Sequence, residues 1–295
     1  MHSKNLWLIF LFTVTAFTMS AQTTFDIEGH RGCRGLYPEN TITAFIEAVK
    51  LGVNTLEMDV VVSKDGQLVV SHDPWMNDEI CTTPEGKPVT AADKSQYKIY
   101  NLTYAEIKQF DCGLRGNAKF AEQKKMAAYK PLLSEVIETV EKYLADNHLP
   151  AVYYNIETKS TPDGDDINHP KPAVFAGLLY DLLKQKNILP RCIIQSFDPR
   201  TLKVIHQTDP TVKTALLVFN ADGFKKNLTR LGFTPAIYSP NFILVNKKLI
   251  QQCHQKHMRI IPWTVNDEDK MKALKNLGVD GLITDYPDRA LKVLR

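Results

Sequence analysis

"FDIEGHRGCRGLYPENTITAFIEAVKLGVNTLEMDVVV", residues 25–62, reads as one strand–helix–strand unit. Residues 25–30 and 54–62 are short β-rich runs. Residues 40–52, between them, carry apolar side chains at helical spacing and end on glycine, which suits a helix C-terminus. The fold depends on whether this unit repeats. Six more β-rich runs follow, at 151–158, 191–197, 213–219, 236–240, 259–265 and 280–285. Amphipathic stretches at 132–147, 172–187, 247–257 and 267–278 keep the alternation. Eight strand–helix units in roughly 270 residues predict an α/β protein built as one (β/α)8 TIM barrel. A doubly wound open sheet fits less well, because the count is eight and no Gly-rich dinucleotide turn is present.

One segment breaks the rhythm. "VVVSKDGQLVVSHD" (60–73) holds two β-rich runs joined only by "SKDG". Parallel strands need a long crossover, so these two must form an antiparallel hairpin. Folding back at Asp65–Gly66 places His72 roughly opposite Met58, beside Glu57 and Asp59. Residues 74–131 are polar and turn-rich, and read as a segment inserted after that hairpin and lying over the C-terminal face of the barrel.

The net charge of +3 comes with no basic run, so nothing points to nucleic acid. Residues 1–22, "MHSKNLWLIFLFTVTAFTMSAQ", have Lys4, an apolar run from Leu6 to Met19, then small Ser20 and Ala21. That is the pattern of a signal peptide over residues 1–21, leaving 22–295 as the barrel domain. The run is short for a membrane anchor and is interrupted by Thr13, Thr15 and Thr18. The expected product is an exported protein with no stable membrane anchor after cleavage, periplasmic in a Gram-negative host. Export permits a disulfide between Cys81 and Cys112, which sit in polar, loop-like sequence. Cys192 and Cys253 sit in apolar patterns and read as buried; five cysteines leave at least one free thiol.

Active sites of such barrels form at the C-terminal strand ends. The polar residues there are His30, Arg31, Glu57, Asp59, His72, Asp73, Glu157, Lys159, Gln195, Ser196, Thr284 and Asp285, with Trp263 among them. Glu57 and Asp59 are two apart and share one side of their strand. With Glu157 they form three converging carboxylates, whose repulsion a hard divalent cation with oxygen ligands would relieve. The competing arrangement pairs each carboxylate with Arg31 or Lys159. His30 and His72 suit one proton donor and one acceptor near neutral pH. Arg31 and Lys159 supply fixed positive charge. Together these groups describe a site for a phosphate ester.

The motifs "GHRG" (29–32), "PENT" (38–41), "EMD" (57–59), "KDG" (64–66), "HD" (72–73), "ETK" (157–159) and "TDYP" (284–287) resemble the glycerophosphodiester phosphodiesterase family, over about residues 25 to 290. The resemblance implies a barrel with an insertion after the hairpin. It implies calcium or magnesium held by Glu57, Asp59 and Glu157, acid–base roles for His30 and His72, and Arg31 and Lys159 on the phosphate. It implies a small-molecule substrate, a glycerophosphodiester hydrolysed to glycerol 3-phosphate and an alcohol. Trp263 is either core or a wall against the glycerol moiety. Asn40 is read as the N-cap of the first helix and Glu39 as bonded within its loop. Which histidine is the acid, and whether water or a neighbouring hydroxyl attacks, stay open. Thr158 stands where the family more often has an apolar residue, and the Lys- and Tyr-rich insertion bears on substrate choice. Two alternatives remain: a phospholipase D-type enzyme for lysophospholipids, which would need an apolar rim, and a non-catalytic phosphodiester-binding protein.

Overall fold

Nine strands and nine helices build the computed structural model, which describes residues 25–295; the leader read at 1–21 lies outside the described residues. The strands are β1 Asp26–Gly29, β2 Thr55–Val62, β3 Leu68–Val70, β4 Tyr153–Thr158, β5 Cys192–Ser196, β6 Lys213–Val218, β7 Ile237–Pro240, β8 Arg259–Ile260 and β9 Gly281–Thr284. The helices are α1 Ile42–Leu51, the single turn α2 Tyr104–Ile107, α3 Leu133–Asp146, α4 Pro172–Gln185, α5 Pro199–Thr208, α6 Gly223–Leu231, α7 Lys247–His254, α8 Glu268–Leu277 and α9 Pro287–Leu294. All strands but β3 are parallel, in the order β8-β7-β6-β5-β4-β2-β1-β9. Past β8, Ile283 N–H donates to Pro262 O and Val265 N–H to Ile283 O, both at 2.9 Å, so the sheet is almost closed. This is the expected (β/α)8 barrel. The seventh strand, expected over 259–265, is regular only at Arg259–Ile260. Pro262 has no N–H to donate, which interrupts the ladder there.

The strands read as continuous apolar or alternating runs because both faces are covered. In β2 every residue is buried. Leu56, Met58 and Val60 belong to the core beneath the helices, with Phe45 of α1 and Tyr154 of β4. A second, smaller apolar group of Ile193, Ala215, Ile237, Ile261 and Ile283 fills the barrel lumen. Above it, strand ends deliver polar side chains. Helix α1 starts at Thr41, whose hydroxyl accepts from Ala44 N–H at 3.2 Å. Thr41, not Asn40, is therefore the N-cap; Asn40 is in the left-handed region at φ 56 and turns its amide to the site.

The hairpin forms as expected, with Val60 opposite Val70 and Val62 opposite Leu68. The insertion is less polar inside than its composition suggests. Val61 and Val69 of the hairpin share a separate small core with Met76, Ile80, Val89, Ile99, Ile107 and Phe110. Cys81 and Cys112 in that core form a disulfide, while Cys33, Cys192 and Cys253 are free and buried. Among the described residues no helix is long and apolar enough to cross a membrane.

Candidate active site

The turn after β1 is shaped by its glycines. A Cβ on Gly29 would lie 2.1 Å from Gly32 O, and Gly32 has φ +85. Arg31, between them, is also left-handed at φ 51. The resulting turn points its N–H at Glu57 Oε2, at 2.8 Å. Glu57 Oε1 accepts from Gln195 Nε2 at 2.7 Å. Asp59 and Glu157 are register partners on β2 and β4. Ligand atoms of Glu57, Asp59 and Glu157 all lie within 4.8 Å of one another, and all three residues are buried.

The competing arrangement, carboxylates paired with cations, is only partly realised. Asp59 has Arg31 Nε at 3.3 Å and Lys159 Nζ at 3.6 Å, and Glu157 has Lys159 Nζ at 2.8 Å. Glu57 has no Arg or Lys side-chain partner among the described residues. Burial and the charge of Asp59 push the Glu57 carboxyl well above its usual range. Burial also opposes charge on Asp59, but Lys159, His72 and Arg31 outweigh it and hold Asp59 well below that range. Burial raises Glu157 despite Lys159. The donors are all oxygen, all buried and unevenly neutralised, so this set fits a hard divalent cation.

His30 and His72 line one cleft of about 150 Å³ with Arg31, Lys159 and Trp263. Their surroundings differ. His30 Nδ1 is 2.6 Å from Asp285 Oδ1, and its Nε2 is 3.9 Å from Glu57 Oε2. Burial, with Arg34 adding to it, lowers the imidazole to about 4. Asp285, despite burial, is held below the usual carboxylate range by His30 and Arg34. It also accepts from Arg34 Nε at 2.6 Å and Asn266 Nδ2 at 2.7 Å. The side chain of His72 is 35% exposed against 12% for His30, and its Nδ1 is 3.0 Å from Asp73 Oδ1. His72 is thus the rim histidine and His30 the inner one.

The expected site residues therefore share one mouth. Glu39 bonds within its loop as anticipated, pairing with Arg31 at 2.7 Å and Arg34 at 3.6 Å. The sequence assigns no task to three further groups and a different one to a fourth. Asp285, Asp73 and Gln195 were in view as strand-end residues, but their partners come from other strands or a following turn. Asn40, expected as a cap, instead donates from Nδ2 to Asp59 Oδ2 at 2.9 Å.

Trp263 settles between its two expected placements. It packs on the lumen isoleucines and also lines the cleft, with Nε1 donating to Ser239 O at 2.9 Å. Phe197 and Phe219 meet it edge-on, with ring centroids at 5.3 and 6.0 Å. Phe197 and Phe219 are 44% and 59% exposed. Two exposed aromatic rings thus flank Trp263 on the strand-end loops, and Phe197 lines the cleft; Phe120 of the insertion is buried. A larger cavity, about 760 Å³, is lined by Asp26, Tyr153, Lys213 and Arg259 at the start of the strands and contains none of the motif residues. The smaller cleft is the candidate site, because chemistry and not size identifies it.

Residues 30–289 match the family model described as the glycerophosphoryl diester phosphodiesterase family. A glycerophosphodiester phosphodiesterase from Bacillus altitudinis is 31% identical over 272 residues, covering 90% of this chain and 97% of its own. A solved structure from Silicibacter pomeroyi, named for the same family, superposes with a TM-score of 0.82 at 27% identity, covering 92% and 94% of the two chains. A phosphodiesterase from Oleispira antarctica, solved with the product sn-glycerol-3-phosphate, shares the fold with a TM-score of 0.71 at 22% identity, over 91% and 96%.

Proposed function

The chain belongs to the glycerophosphoryl diester phosphodiesterase family, and we propose that it hydrolyses glycerophosphodiesters to glycerol 3-phosphate and an alcohol by metal-assisted acid–base catalysis. The observation that carries this reading is the convergence of three buried carboxylates and two histidines on one cleft. Glycerol 3-phosphate bound to the Oleispira antarctica relative supports the product.

Glu57, Asp59 and Glu157 would hold the cation, calcium or magnesium. When bound, such an ion withdraws charge from the phosphoryl oxygens. Arg31 and Lys159 bind those oxygens from the same wall. His30 takes the proton of the nucleophile. Its Nδ1–H is engaged by Asp285, and burial keeps the ring neutral, leaving Nε2 as the acceptor. His72, at the rim beside Asp73, protonates the departing alcohol. Trp263 flanks the glycerol moiety. Export through the leader at 1–21 is part of the proposal, and the Cys81–Cys112 disulfide supports an oxidising compartment.

The exposed Phe197 and Phe219, packed against Trp263 at the cleft, favour a second reading, in which the glycerol carries an acyl chain and the substrate is a lysophospholipid. A purely binding role has no such support, since every expected position is filled. The test is release of glycerol 3-phosphate from glycerophosphocholine, run beside release of choline from micellar lysophosphatidylcholine. Turnover of the soluble diester supports the first reading. Turnover of the micellar substrate alone moves the assignment to the second. Turnover of neither refutes both.

A further inference from the structure

Glu28 of β1 is a fully buried carboxyl that the proposed reaction does not use. It lies inside the barrel, close to Asn155 and to the charges of Asp26 and Arg259. Its Oε2 accepts from Asn155 Nδ2 at 2.7 Å. The same Asn155 Nδ2 donates to Gln195 Oε1 at 3.2 Å. Gln195 Nε2 then donates to Glu57 Oε1 at 2.7 Å. A continuous hydrogen-bonded chain thus runs across β1, β4, β5 and β2 and ends on the carboxylate of the acidic cluster that has no Arg or Lys partner. Glu28 Oε1 and Asn155 Oδ1 have no partner of their own. Buried oxygens left so are costly, and an apolar side chain at 28 would remove one of them.

We propose that Glu28 is a positioning residue for the metal site: as a hydrogen-bond acceptor it fixes the direction of the Asn155–Gln195 chain, so that Gln195 presents N–H and not C=O to Glu57. An amide has a donor end and an acceptor end, and either can face a neighbour. The acceptor at 28 selects the NH2 end of Asn155. That end, facing Gln195, selects the C=O end of Gln195. The NH2 end of Gln195 is then left for Glu57. With no acceptor at 28, Asn155 is free to turn, and a turned Asn155 would leave Gln195 holding an oxygen against the Glu57 oxygen. The carboxylate would lose a donor and its orientation together. Burial, with the nearby charge of Asp26 adding to it, raises the Glu28 carboxyl to about 8; when it is protonated, Oε2 stays the acceptor for Asn155 only with the proton on Oε1, the oxygen that has no other partner. Glutamine is its close match in shape and retains an acceptor.

The inference rests on Glu57 being a metal ligand, and the experiment separates the two ideas. Calcium and magnesium affinity of the full chain are measured by titration calorimetry after chelator treatment, with folding checked by circular dichroism and thermal melting. Glu28→Leu should keep the fold and weaken cation binding roughly 10–100-fold, the range found when a ligand's hydrogen-bonding support is removed. Glu28→Gln should recover most of that affinity. Asn155→Leu breaks the chain in its middle and should cause the same loss, which keeps the test open if Glu28→Leu does not fold. Gln195→Leu should weaken binding as much, and adding Glu28→Leu to it should cost nothing more, because Glu28 acts only through Gln195. Unchanged affinity in folded Glu28→Leu or Asn155→Leu, or losses that multiply in the double variant, would overturn the relay. Wild-type protein that binds neither cation would overturn the metal reading itself.

Discussion

Removing the Cys81–Cys112 bridge, by Cys81→Ser with Cys112→Ser, should loosen the insertion while leaving the barrel intact. The bridge closes a loop with a sequence separation of 31 residues. The chain-entropy relation for a loop of that size gives about 3.7 kcal/mol of stabilisation at 25 °C. The loss falls on a small structure, because the insertion's core is separate from the core under the helices. Opening of the insertion should therefore become roughly 500-fold more frequent, taking tenfold per 1.4 kcal/mol. Function should follow. Val61 and Val69 of the hairpin belong to that core, and Lys130 at the end of the insertion donates to Ser71 at 2.9 Å, next to His72. A loosened insertion leaves the rim histidine less fixed, so kcat should fall with little change in metal affinity. Native-state hydrogen exchange read by mass spectrometry is the assay. Peptides from 74–131 should lose protection, and peptides from β5 to β9 should not. Equal loss across the whole chain, or none in the insertion, would refute the separate-core reasoning.

Asp285→Asn should lower kcat by roughly 10²–10⁴-fold, as expected when the partner of a general base is lost, with calcium affinity by calorimetry nearly unchanged. A parallel fall in metal affinity would mean that Asp285 serves the acidic cluster and not His30. Glu28 should also give the stability of the protein a pH slope. Its folded carboxyl is raised to about 8 from 4.5, so the favourable neutral form is fully present below 4.5. Stability should then decline as pH rises from 4.5 to about 8 and level off above it, by at most about 5 kcal/mol from this group alone. Urea denaturation of wild type and Glu28→Gln across that window should show the slope in the first and a flatter profile in the second.

The barrel was legible because alternation of strand and helix is a local property. Seven of the eight barrel strands lie within two residues of their expected ends, the exception being β8, which Pro262 cuts short, and the "SKDG" connection was too short for anything but a hairpin. The three carboxylates were legible for a similar reason: Glu57 and Asp59 are two apart on one strand, and Glu157 lies on the next strand of the sheet. What escaped was set by pairing across the fold. Asp285 meets His30 because β9 lies beside β1, a contact spanning 255 positions. Asn40 looked like a cap, since asparagine commonly is one, and only its left-handed backbone sends the amide to Asp59. Glu28 belongs to no motif and nothing in the sequence singles it out. In a closed barrel its face of the strand is the lumen, so the carboxyl is buried. The insertion hid its core because its apolar residues, spread over 58 positions of turns and loops, follow no helix or strand period.

In the proposed reaction one cleft joins a divalent cation held by Glu57, Asp59 and Glu157 to hydrolysis of a glycerophosphodiester. Its most direct test is glycerol 3-phosphate release from glycerophosphocholine after chelation, with calcium or magnesium returned in steps while cation binding is followed on the same sample. The account predicts that activity disappears with the metal and returns in proportion to occupied sites, and that Glu57→Gln weakens both. Full turnover by the stripped enzyme, or metal binding and turnover that survive Glu57→Gln together, would contradict it.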